Sequence, residues 1–188
     1  MNANNVHNHK QLGIEAVRLV IESLYQAGIR VWLDGGWGVD ALLGRQTRPH
    51  HDLDIIVSTV DVPELLDELS RLGFAICRGT PPHAFVLSNE AGHEVDVHAV
   101  VFNENGSAAH RMENGEDWIF PAESFTGTGT IEDLKVLCLS AKAQVICHAQ
   151  GYKPTEKDYR DMELLAEHFG VDLPPILQRS KMLKSKYQ

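Results

Sequence analysis

A chain of 188 residues with 43% apolar content suits one globular domain, or one domain with a small appendage. The formal net charge of −9 argues against a nucleic-acid partner, whose recognition relies on basic surfaces, and fits a small cationic one. No apolar run reaches the ~18 residues of a membrane span; the polar start MNANNVHNHK lacks a signal core, and the odd trio Cys77, Cys138 and Cys147 has neither disulfide nor zinc spacing, so a cytoplasmic protein with buried, reduced thiols is expected.

Residues 1–8 read as a frayed tail. Apolar residues from Leu12 to Tyr25 recur at helical spacing, which predicts a helix over His9–Ala27 ended by Gly28. Ile29–Leu33 reads as a buried strand, Gly36–Leu43 as a two-turn helix stopped by Gly44, and Asp52–Ser58 as a second strand. Val62–Leu72 is an amphipathic helix with Pro63 in its first turn. Phe74–Arg78, Ala84–Ser88 and Glu94–Val101 follow without a helix between them, as antiparallel hairpins do. Residues 102–130 are polar and glycine-rich, which suggests a long loop with one or two short strands. Val136–Leu139 reads as a strand, Ser140–Ala149 as a helix capped by Ser140, and Lys157–Phe169 as a charged amphipathic helix, with one more short helix expected in 171–187. The division expected is a mixed α/β core over 1–105 and a smaller, mostly helical part over 106–188 that contributes to a pocket.

The chemistry is concentrated in Val31–Val57. Asp52 and Asp54 open a strand at i and i+2, so they project from one face with Cα atoms ~6.6 Å apart. Their carboxylates can converge on a hard cation such as Mg²⁺; the bland alternative is a polar strand end, with Asp54 paired to Arg45 or Arg48. In Glu94-Val95-Asp96-Val97-His98, Glu94, Asp96 and His98 share one face. If this strand lies beside Asp52–Ser58, Asp96 completes a cluster suited to two divalent ions about 3.5–4 Å apart. His98 is either a base or supporting group in such a site or a solvated strand residue.

Gly35 and Gly36 follow a strand and open a helix, which allows close approach of a phosphate; a tight turn needing positive φ is the equal alternative. Arg48 and His50 lie in the loop that feeds the aspartates and are candidates for a triphosphate, with an ion pair to Asp40 or Asp52 the other possibility for Arg48. Asp40, early in a helix, reads as a dipole or arginine-orienting residue. Gly36-Trp37-Gly38-Val39-Asp40-Ala41 matches a dinucleotide fingerprint, but the helix stops at Gly44 and the acids stand at the start of the next strand, where a ribose-binding acid does not sit.

The order Gly35-Gly36, Asp52-x-Asp54, Asp96 resembles the nucleotidyltransferase superfamily related to DNA polymerase β. The string LDGGWGVDALLGRQTRPHHDLDI is similar to the lincosamide nucleotidyltransferases, and more loosely to the aminoglycoside 2''-nucleotidyltransferases. The similarity extends through EVDVHAVVF and FPAESFTGTGTI to ICHAQGYKPTEKDYRDMELLAEHFG, where the family's His-x-Gly-Tyr is one residue longer, His148 to Tyr152. The resemblance implies a nucleotidyltransferase fold with a mixed central sheet flanked by helices. It also implies Mg²⁺-dependent transfer of a nucleoside monophosphate, usually AMP from ATP, to a hydroxyl of a small antibiotic, with Asp52, Asp54 and Asp96 on the metals and Gly35 and Gly36 at the phosphates. A homodimer completing the acceptor pocket is compatible with so short a chain. A protein hydroxyl as acceptor, or an idle nucleotide-sensing module, are the alternatives that a pyrophosphate-release assay separates.

Overall fold

The computed structural model describes residues 11–112, 114–150 and 152–178; the expected frayed tail, and 179–187 of the range in which a last short helix was expected, lie outside them. Helix α1 (Ile14–Gln26) buries Val17, Val20, Ile21 and Leu24, the i, i+3, i+4, i+7 stripe of an amphipathic helix. The chain turns at Gly28 (φ 79°) into β1 (Val31–Leu33), two residues later than expected. It continues through α2 (Gly35–Leu43), β2 (Asp52–Ser58) and α3 (Val62–Arg71). Then come β3 (Ala75–Gly79), β4 (Ala84–Ser88) and β5 (Glu94–Phe102), paired antiparallel as their short connections dictate.

The stretch expected to be a long loop with one or two short strands holds three. It contains β6 (Ala108–Arg111), β7 (Asp117–Phe120), a 3₁₀ turn at Ala122–Thr126 and β8 (Gly127–Ile131). Its glycines misled because they serve packing as well as turning. A Cβ at Gly129 would stand 2.1 Å from the Ala41 carbonyl oxygen, and one at Gly127 2.6 Å from that of Cys138, so β8 lies against backbone. β9 (Leu134–Cys138), α4 (Ala141–Gln150) and α5 (Glu156–Phe169) follow, with a 3₁₀ turn at Pro175–Leu177. The Ser140 hydroxyl accepts the Ala143 N–H at 3.4 Å, and Thr155 and Asp158 form a capping box on α5.

The main sheet runs β3-β4-β5-β2-β1-β9-β8. It is mixed: β2 pairs β5 and β1 pairs β9 in parallel, the other neighbours antiparallel. β8 and β9, from beyond residue 105, thus extend the sheet that the earlier strands begin. One face packs on α1 and α3 through Leu53, Ile55, Val57, Val95 and Val97. The other carries an aromatic cluster of Trp32, Phe102, Phe120 and Phe125, and a third apolar cluster joins α2, α4 and α5 through Val39, Val145, Met162 and Leu165. Edge strand β3 is exposed throughout, so Cys77 is exposed rather than buried as expected. Among the described residues no helix is long and apolar enough to cross a membrane.

Candidate active site

Because Leu53, Ile55 and Val57 enter the core beneath α1 and α3, Asp52 and Asp54 project from the opposite face of β2. β5 alternates in the same way, with Val95 and Val97 inward and Asp96 and His98 outward. Parallel pairing sets Asp52 beside Glu94, Asp54 beside Asp96 and Ile56 beside His98. Donor atoms of Asp54, Asp96 and His98 all lie within 4.8 Å of one another. Asp52 stands at the exposed start of the strand, and its charge bears on both other aspartates.

The glycine turn locks onto this pair. The Asp34 N–H donates to the Asp54 carbonyl at 3.0 Å, and the Asp34 carboxylate accepts the Gly35 N–H at 2.8 Å, capping α2. Gly35 has φ 56°, and a Cβ there would sit 2.1 Å from Asp54 Oδ2, so only glycine lets the helix start ride against the carboxylate. Gly36 abuts the following loop: its Cβ would lie 2.2 Å from His50 Nδ1 and 2.8 Å from Arg48 Nη2.

That loop does not present His50 to the cleft as expected. His50 is 2% exposed, packed against Trp37 and bound through Nε2 to Asp40 Oδ2 at 2.5 Å. Asp40, also buried, accepts the Thr47 N–H and hydroxyl as well, so it holds the loop through Thr47 and His50 rather than by orienting an arginine directly. Arg48 does reach the cleft, but its partner is neither Asp40 nor Asp52. Its Nε and Nη2 donate to the buried carboxylate of Asp161 on α5 at 3.0 and 2.7 Å. Burial works to lower the guanidinium's proton affinity, and the Asp161 pairing overrides it and raises it.

α4 and α5 form the facing wall. Buried Asp158 accepts the Tyr152 hydroxyl at 2.7 Å and both the N–H and hydroxyl of Thr155, with His148 Nε2 3.8 Å away. The cleft has a volume of about 410 Å³, the size of a small-molecule site. Its lining brings together the charged Asp34, Asp52, Asp54, Arg48 and Lys157 with His98, His110, Met112, Trp118, Phe120 and Tyr152. A larger open groove of about 720 Å³ near Tyr25, Arg30 and Lys135 has no acid in its walls and lies outside this chemistry.

Asp34, Asp158 and Asp161 were not anticipated. Asp34 was legible as an acid just before a helix-opening glycine, and the i, i+3 spacing of Asp158 and Asp161 in KDYRD places both on one helix face. Of the acids around the cleft, Glu94 pairs with Arg78 at 3.2 Å and Asp117 with Arg111; Gly151 of the His148–Tyr152 stretch lies outside the described residues.

The electrostatics ask for a cation. Burial first, and then Asp52, Asp34 and Asp96, push the Asp54 carboxyl well above the usual range, against the pull of Lys157. Asp96 is raised by burial too, with Asp52 and Glu94 pushing up and His98 and Arg78 pulling down. Carboxylate oxygens converging in this way fit a divalent metal ion, which would relieve the repulsion.

A mixed sheet with paired carboxylates on its central strands, next to a glycine-opened helix, defines a nucleotidyltransferase. A lincosamide resistance protein of Staphylococcus haemolyticus is 34% identical over 137 residues, 73% of this chain and 84% of that one. The chain belongs to the aminoglycoside-2''-adenylyltransferase family, whose model matches residues 16–165. A lincomycin-bound lincosamide antibiotic adenylyltransferase shares 28% identity at a TM-score of 0.73, covering 83% of this chain and 98% of that structure. At 21% identity and a TM-score of 0.68, an aminoglycoside enzyme in complex with adenylyl-2''-tobramycin shares the fold over 84% of this chain and 89% of its own.

Proposed function

We propose that the protein transfers AMP from ATP to a hydroxyl of a small antibiotic, a lincosamide ahead of an aminoglycoside, and so inactivates the drug. The acceptor oxygen attacks the α-phosphorus, the bond to the β-phosphate breaks, and pyrophosphate leaves; the hydroxyl proton passes to Asp96 or to solvent. The in-register pairing of Asp54 with Asp96 carries this reading, because it gathers anions that only a cation makes useful. Asp52, Asp54 and Asp96 would hold one or two Mg²⁺ ions, which when bound would polarise the α-phosphate and neutralise the leaving group. Lys157 and Arg48 supply positive charge on the nucleotide side of the cleft. Met112, Trp118 and Phe120 offer the acceptor an apolar wall. The preference for a lincosamide is supported by the 34% identity to a lincosamide resistance protein over most of both chains. A cytoplasmic location would give the enzyme its ATP.

Incubation with Mg²⁺-ATP and a panel of lincosamides and aminoglycosides, with pyrophosphate release and drug mass as readouts, tests the reading. Release with one drug class and a mass gain of one AMP is expected. No release with any acceptor would refute it.

A further inference from the structure

Resting on the transferase reading of this cleft, we propose that His98 is itself a metal ligand and biases the site toward Mn²⁺ and similar transition ions over Mg²⁺. His98 follows Asp96 by two residues on the same strand, so both take one face of the sheet; Asp96 lies in register with Asp54, and His98 lines the cleft with Asp54. The three donors lie within 4.8 Å of one another, and His98 Nε2 is 3.7 Å from Asp96 Oδ1. That separation is too long for a hydrogen bond. It suits two atoms on one ion, since metal–ligand bonds of about 2.0–2.2 Å place neighbouring donors about 3–4 Å apart.

The ring is held in this orientation. It meets the His110 ring edge-to-face at 5.5 Å and 81°, and His110 is fixed by donating from Nδ1 to the Ala99 carbonyl at 2.9 Å. The His98 side chain is 32% exposed and Asp96 30%, so an ion can reach both. Mg²⁺ takes oxygen ligands and keeps its waters, whereas imidazole nitrogen strengthens binding to Mn²⁺, Co²⁺ and Ni²⁺ in rising order. An imidazole set beside two carboxylates therefore discriminates among ions that an all-oxygen set would treat more alike.

The competing role for His98 is an imidazolium paired with Asp96. In that case its removal would leave affinity for every divalent ion unchanged or increased, because a repelling charge has gone.

The test is direct binding to the full chain without nucleotide. Free Mn²⁺ is followed by electron paramagnetic resonance, and Mg²⁺ by competition. His98→Ala should weaken Mn²⁺ about 10- to 100-fold, the scale of losing a group that supports a metal site. Mg²⁺ should weaken by less than about threefold, since nitrogen contributes little to it. Pulsed resonance on the Mn²⁺-loaded wild type should show nitrogen coupling, absent in His98→Ala and in the size-matched His98→Gln. Equal losses for both ions, a gain for both, or no nitrogen coupling in the wild type would overturn the proposal. The wild-type spectrum decides even if a variant misfolds. Pyrophosphate release without nitrogen coupling would remove this inference and leave the transferase reading; nitrogen coupling without release from any acceptor would do the reverse.

Discussion

Asp54→Asn is the substitution with the most to say about the cleft, because it should harm the reaction and help the fold. It removes a negative charge from a point where an Asp96 oxygen lies within 4.8 Å and Asp52 and Asp34 add their own fields. Two unit charges at about that separation repel by ~3.5 kcal/mol at an effective dielectric near 20. Partial solvent access and the opposing Lys157 reduce the net relief to about 1–2 kcal/mol. For a chain of this size that is about 3–6 °C in melting temperature. The sign follows from the direction of the shift: the folded-state pKa of Asp54 lies above its unfolded value, so its ionisation costs stability. The penalty is absent below the unfolded carboxylate pKa of ~3.9 and grows as pH rises through the folded value. Scanning fluorimetry in EDTA at pH 7.5 should therefore find the variant more stable than wild type, with the gap closing toward pH ~4. Added Mg²⁺ should raise the melting temperature of the wild type far more than that of the variant. AMP transfer should fall by at least about 10²–10³-fold. A variant that melts below wild type in EDTA at pH 7.5, or that keeps wild-type transfer, would refute the reasoning.

Three further substitutions or treatments separate scaffold from chemistry. His50→Ala should cost about 2–4 kcal/mol in urea unfolding, since it empties a packed site and strands Asp40, while the KM for ATP of the folded fraction changes little; a raised KM with unchanged stability would return His50 to the triphosphate. Arg48→Ala leaves buried Asp161 without its guanidinium and should cost about 3–5 kcal/mol, with Arg48→Lys recovering only part because an ammonium lacks the two-pronged fork; equal stability of the three proteins in urea would contradict the pairing. Of the three thiols, burial pushes Cys138 up to about 12, and burial together with Asp34 pushes Cys147 higher still, while Cys77 is exposed. Ellman titration of the native protein at pH 8 should thus find one fast thiol, lost in Cys77→Ser; a second fast thiol would mean that β9 or α4 opens.

Local pattern carried much of the architecture. The stripe of α1, the alternation along β2 and β5, and the short connections from β3 to β5 each follow from residues close in sequence, which is why those elements fall near where they were expected. The 102–130 region was hidden because Gly127 and Gly129, loop residues by composition, are there to admit neighbouring backbone, a requirement set by α2 and β9. The site divided in the same way. The strand face shared by Asp52 and Asp54, and that of Asp96, were legible because alternation fixes which face an acid takes. His50 was misplaced because a basic residue next to acids looks the same whether it points into a cleft or under Trp37.

By itself the sequence determined the strand faces, the glycine turn and the resemblance that names the family. Only the tertiary structure decided the parallel register that sets Asp54 against Asp96, the pairing of Arg48 with Asp161 across 113 residues, and the burial of His50 on Asp40. The physical reason is range. Alternation and capping act within a few residues, whereas the partner of a charge is chosen by which distant element packing brings within about 3 Å of it.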